Sequence, residues 1–138
     1  MGSAARCGPV VAATVWGQEH ECDVRVFGEA LAPWVGPRRP PRGPPVTDPD
    51  RLRMLAERAG LVVEGVVEVV CPFEYADDDE LLGPLFESGL GRSVARRAGP
   101  VAMRSAVLTR LTPYRTAAGG YRLENLFRVL VARPTNTA

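Results

Sequence analysis

Hydrophobic positions fall into blocks along this chain, some continuous, some alternating and some at helical spacing. Val10-Val11-Ala12-Ala13-Thr14-Val15-Trp16 is an unbroken apolar run between Gly8-Pro9 and Gly17. It is short and β-branched and does not alternate, which predicts a strand over 8–17 buried on both faces of a parallel sheet. Phe27, Leu31 and Trp34 recur at helical spacing and predict a short helix over 27–34. Prolines and glycines then dominate 36–46, which predicts a surface loop with polyproline character. Asp48-Pro49 opens a helix over 48–59: Asp48 suits the cap, Pro49 the first helical position, and Leu52, Leu55, Ala56 and Ala59 form the apolar face. Gly60 supplies the left-handed residue that ends it.

Residues 61–71 read as a strand of high β propensity. Strict alternation places Val63, Gly65, Val67, Val69 and Cys71 on one face and Glu64, Val66, Glu68 and Val70 on the other. A helical insertion over 77–112 follows. Its first helix opens on Asp77-Asp78-Asp79-Glu80 and carries Leu81, Leu82, Leu85 and Phe86, with a kink or two short helices expected at Gly83-Pro84. A second helix starts near Pro100 with a broad apolar band of Val101, Ala102, Met103, Ala106, Val107, Leu108 and Leu111. The Gly119-Gly120 turn leads into a strand over 121–133, where Phe127, Val129 and Val131 oppose Leu126, Arg128 and Leu130. If the two long strands pair antiparallel, Glu64 or Glu68 meets Arg128.

With 138 residues the chain fits one domain, 1–138. Its 17 basic residues, all arginine, balance 16 acidic ones for a net charge of +1, so nothing in the charge points to nucleic acid or an anionic membrane. Cys7, Cys22 and Cys71 are odd in number and have no CxxC spacing, which implies neither a disulfide framework nor a zinc ribbon. No apolar run is long enough to span a bilayer. Arg6 ahead of the first apolar run lacks a convincing cleavage site, and Met1-Gly2 lacks the serine or threonine at position 6 that myristoylation favours. The expectation is a soluble, cytoplasmic protein.

The order strand, helix, strand, helical insertion, strand, together with Val11-Ala12-Ala13-Thr14-Val15-Trp16-Gly17, Asp48-Pro49, Ala59-Gly60-Leu61, Cys71-Pro72-Phe73-Glu74-Tyr75 and Asn125-Leu126-Phe127-Arg128, resembles the C-terminal half of class I S-adenosylmethionine-dependent methyltransferases. The resemblance implies an α/β fold, the C-terminal part of a Rossmann-like sheet with strands like the fifth, sixth and seventh. It also implies a helical cap over the substrate pocket. Trp16, His20, Phe73, Tyr75, Tyr114 and Arg115 are then the candidate substrate-binding residues, and no catalytic residue is assigned. The family binds S-adenosylmethionine against its first four strands, through a glycine-rich turn after a strand. Here no strand precedes Val10, and Gly89-Leu90-Gly91 follows helix-like residues instead. The chain is thus expected to be a truncated, substrate-side portion of a small-molecule methyltransferase that neither binds the cofactor nor transfers methyl groups alone. Its unpaired edge, with Val10 and Val15 at its ends, would join a second copy or a complementing half.

Three further signals have plainer accounts. Glu19-His20-Glu21-Cys22 holds the sole histidine and no matching cluster, where borderline metals take three or four protein ligands. The acidic run at 77–80 suits a helix start better than a calcium loop. Arg38-Arg39-Pro40-Pro41-Arg42-Gly43-Pro44 matches the loose Arg-x-x-Pro-x-x-Pro pattern of SH3 ligands, but such a match arises readily by chance in a proline- and arginine-rich chain. The alternative to a methyltransferase portion is a non-catalytic module that binds a small molecule or partner through the insertion and its aromatic residues.

Overall fold

The computed structural model describes residues 8–135; Cys7, Arg6 and the Met1-Gly2 start lie outside them. In chain order the elements are β1 (Val11–Trp16), α1 (Arg25–Leu31), α2 (Pro49–Arg58), β2 (Leu61–Tyr75), α3 (Asp78–Glu87), α4 (Gly89–Ala98), α5 (Pro100–Leu111) and β3 (Tyr121–Pro134). The fold is α/β, and the described residues form one sheet, of order β1-β3-β2. β3 runs antiparallel to β1, with Val11 opposite Ala132 and Trp16 opposite Phe127. Along β2 its ion-pair partners descend as β3 ascends: Arg122 meets Glu74, Arg128 meets Glu68 and Arg133 meets Glu64. That pair is antiparallel too, so β1 and β2 point the same way with β3 reversed between them.

The chain divides into two compact units. The first takes the residues up to Gln18, those from Pro41 to Val70 and those from Leu126 on. Within it α2 lies on the sheet. Asp48 caps the helix by accepting from the amides of Asp50 (2.9 Å) and Arg51 (3.2 Å), and Gly60 ends it at φ +80°. Leu52 packs on Leu130 and Ala132, flanked by Ala56, Leu61, Val63 and Val66. Burying such a leucine contributes about 1.5–3 kcal/mol. Leu55 and Ala59, expected on the same face, are exposed.

Two expectations about the strands need correction. β1 is not buried on both faces of a parallel sheet: among the described residues it stands at the sheet edge, paired antiparallel with β3, and Trp16 remains 40% exposed. A run without alternation encodes two apolar faces, but only neighbouring elements can cover them. β2 does not alternate without interruption either. Val63 and Val66 both pack on the Leu52 cluster, whereas Val67 and Val69 are exposed, so the phase slips beside Gly65. Accordingly Glu68 reaches Arg128 (3.3 Å) while Glu64 turns to Arg133 (2.5 Å). Val62, Val67, Val69 and Val70 leave this unit with a large exposed apolar surface.

The second unit, Glu19–Pro40 with Cys71–Asn125, holds α1, α3, α4, α5 and the adjoining ends of β2 and β3. Its core joins Leu31 of α1, Leu81 of α3, Val94 of α4, Met103, Val107 and Leu111 of α5, and Tyr121 and Leu123 of β3. The i, i+4, i+8 spacing in α5 buries a narrow stripe, narrower than the band expected, and Val101 stands 82% exposed. Asn125 Oδ1 accepts from the Val24 amide (3.1 Å) and so fixes the start of α1. The helix expected over 27–34 starts two residues earlier and tightens into a 3₁₀ turn at Ala32–Trp34, around Pro33.

Of the kink or two short helices expected at Gly83-Pro84, the two separate helices do not form. α3 runs through both residues, with Pro84 on the exposed face, where water can replace the amide that proline lacks. The break comes at Ser88. Its hydroxyl donates to the Leu85 carbonyl (2.7 Å) and accepts from the Gly91 amide (2.9 Å), ending one helix and capping the next. A Cβ on Gly91 would lie 1.8 Å from the Leu85 carbonyl oxygen, so only glycine permits this corner.

Candidate functional site

The polar centre of the helical unit is built where β2 gives way to α3. Asp77 caps α3 by accepting from the Glu80 amide (2.8 Å), and Glu80 reaches back to the Ala76 amide (2.5 Å). This reciprocal cap leaves Asp78 and Asp79 to face other elements. Asp78 Oδ1 accepts from the Tyr121 hydroxyl (2.5 Å) and from Arg115 Nη2 (3.2 Å). Arg104 on α5 places Nη2 3.6 Å from Asp78 Oδ2 and Nη1 3.2 Å from Asp79 Oδ1. The Arg115 guanidinium also lies over the Tyr121 ring, 5.1 Å from its centroid.

Tyr121 is 1% exposed. Burial above all, and then its hydrogen bond to Asp78 and that carboxylate's charge, raise its phenol above the ordinary tyrosine value, with Arg115 opposing. Tyr75 is raised as well, by burial and by the charge of Glu80. Both are neutral phenols at physiological pH; Tyr121 donates a hydrogen bond to a carboxylate. The arrangement suits binding and orientation. It presents no activated nucleophile.

Around this centre lies an open cleft of about 390 Å³ lined by Asp77, Asp78, Asp79, Arg104, Arg115 and Gly119. A second cleft of about 460 Å³ shares Asp79 and Arg104 with it and is otherwise walled by Leu82, Gly83, Phe86, Pro100 and Val101. Polar and apolar clefts therefore meet at one ion pair.

The structure gathers some of the candidate residues and scatters others. Arg115 belongs to the polar centre, whereas Phe73, Tyr75 and Tyr114 pack against the helical core behind it. His20 is exposed in the 3₁₀ turn Glu19–Glu21. Trp16 belongs to the sheet unit, its ring 4.4 Å from that of Phe127. Asp78, Asp79 and Arg104 escape sequence reasoning because each also reads as ordinary helix surface. Tyr121 adjoins a strand start and reads as structural there.

Gly89-Leu90-Gly91 does not fit the role of a cofactor loop. It follows α3 and not a strand, and the space beside Gly91 is filled by the Leu85 carbonyl, which leaves no room for a ligand. Among the described residues no three His, Cys, Asp or Glu side chains converge to hold a metal, and no helix is long and apolar enough to cross a membrane. Residues 36–46 are exposed, and Gly43, at φ +92°, donates its amide to the Pro41 carbonyl (3.2 Å). That turn interrupts the polyproline conformation an SH3 ligand presents. No protein-family model matches the chain, and neither does any curated protein.

Proposed function

We propose that this chain is the substrate-side, C-terminal portion of a methyltransferase-like protein of the S-adenosylmethionine-dependent class, acting on a small molecule and inactive by itself. One observation carries this. The strand that comes last in the chain lies between the other two and runs against both, and α3, α4 and α5 are inserted before it. β1, β2 and β3 then stand for the fifth, sixth and seventh strands of the resemblance, and the three helices for its substrate cap. Among the described residues β1 stands at the edge of the sheet, and the fourth strand of the resemblance would pair there, which supports the same reading. A cytoplasmic setting goes with it.

On this reading the chain's task is to bind and orient the methyl acceptor and to exclude water. Tyr121 and Arg115 hold Asp78 in place at the polar cleft, and Phe73, Tyr75 and Tyr114 brace the cap from its core side. No step is assigned to a cofactor. Isothermal titration of the purified chain with S-adenosylmethionine is expected to show no binding, and micromolar affinity would overturn the proposal. A second reading, a self-sufficient module that binds a small molecule or partner without catalysis, draws support from the separate core of the helical unit.

A further inference from the structure

We infer that the groove between α3 and α5 binds a small molecule with an apolar body and a cationic amine. Gly83 is the starting point. It sits inside α3, where glycine is less stable than alanine. Its φ is not positive, and a Cβ placed on it would meet no atom within 4 Å other than those of its chain neighbours. The ring of Pro84, which crowds a Cβ on a helical residue just before it, favours glycine here. What the missing side chain leaves is floor space in the cleft of about 460 Å³, beside Leu82, Phe86, Pro100 and Val101. Val101, 82% exposed, contributes an apolar wall that the core does not use. Apolar walls with a few polar groups gathered at one end are the make-up of a small-molecule site.

The polar end sets the charge of the occupant. Asp79 and Arg104 are shared with the neighbouring cleft, where Asp77, Asp78 and Arg115 join them. Three carboxylates there meet two guanidiniums. Arg104 lies 3.6 Å from Asp78 and 3.2 Å from Asp79, and Arg115 lies 3.2 Å from Asp78, so both cations are already opposed by carboxylates. Asp79 remains 89% exposed at the mouth of the apolar groove. A further cation is attracted there and an anion repelled. The ammonium sits at Asp79, and the hydrocarbon lies over Gly83 between Leu82, Phe86 and Val101. This deepens the substrate-side reading, since an amine nitrogen can accept a methyl group. The test uses binding without cofactor, so the groove and that reading can fail independently.

The full chain, ¹⁵N-labelled, is titrated with 2-phenylethylamine, 3-phenylpropionate and 2-phenylethanol. The amine is expected to shift the amide resonances of Gly83, Val101 and Arg104 with millimolar affinity, and the anion to bind about tenfold more weakly or not at all. Asp79→Asn should weaken the amine several-fold and leave the alcohol unchanged. Gly83→Leu, which fills the floor, should abolish binding. Three results overturn the inference: no shifts with the amine at tens of millimolar, an anion that binds as well as the amine, or amine affinity unchanged by Asp79→Asn. The last outcome decides the matter even if Gly83→Leu fails to fold.

Discussion

Tyr121 shows how a single residue ties the cap to the strand. Its hydroxyl donates to Asp78 from a buried ring that Arg115 covers. Tyr121→Phe should cost about 1–2 kcal/mol, because Asp78 keeps Arg104 and Arg115 when the phenol is lost. The pH dependence follows from the direction of the shifts. Tyr121 and Tyr75 both hold their protons more tightly folded than unfolded. The stability they contribute is complete below the unfolded tyrosine value of about 10 and is lost as pH rises through the higher folded values. Urea denaturation from pH 8 upward should show falling stability above about pH 10, less steeply in Tyr121→Phe. An identical alkaline slope in the variant would refute this account of Tyr121.

At the scale of elements, caps were legible and coverage was not. Asp48-Pro49 and Asp77 announce α2 and α3 through local hydrogen bonds that a few neighbouring residues complete. Opposite charges left Glu64 or Glu68 as the partner of Arg128 should the strands pair antiparallel, and Glu68 is the one that reaches it. Three features depended on distant atoms and left no local trace. These are the slip beside Gly65, the passage of α3 through Pro84, and the exposure of β1. The candidate site is the extreme case: Asp78, Arg104, Arg115 and Tyr121 come from four separate stretches, and no spacing rule connects them. The Glu68–Arg128 pair offers a test of what an edge interaction contributes. Arg128 is 5% exposed in its side chain and Glu68 59%. Glu68→Gln should therefore cost less than about 1 kcal/mol by urea denaturation. Arg128→Ala should cost distinctly more, through lost packing of its buried stem as well as lost charge. Equal effects would contradict that division.

For the whole molecule, charge and surface act together. The net charge is +1 and the isoelectric point about 7.7, so near neutral pH little repulsion separates two copies that each expose Val62, Val67, Val69, Val70 and the edge of β1. Light scattering at micromolar concentration should detect self-association that is strongest near that pH. Thr14→Lys should reduce it by placing a charge on the edge strand. A monodisperse monomer with cooperative melting at pH 7.7 would instead favour the self-sufficient module. The strand order has one more consequence, for the timing of biosynthesis. Val11 lies opposite Ala132, and Arg133 reaches Glu64, so β1 and β2 both wait for β3, which the ribosome delivers after every helix has emerged. Until then the two earlier strands remain without their mate, with their apolar surface open to association.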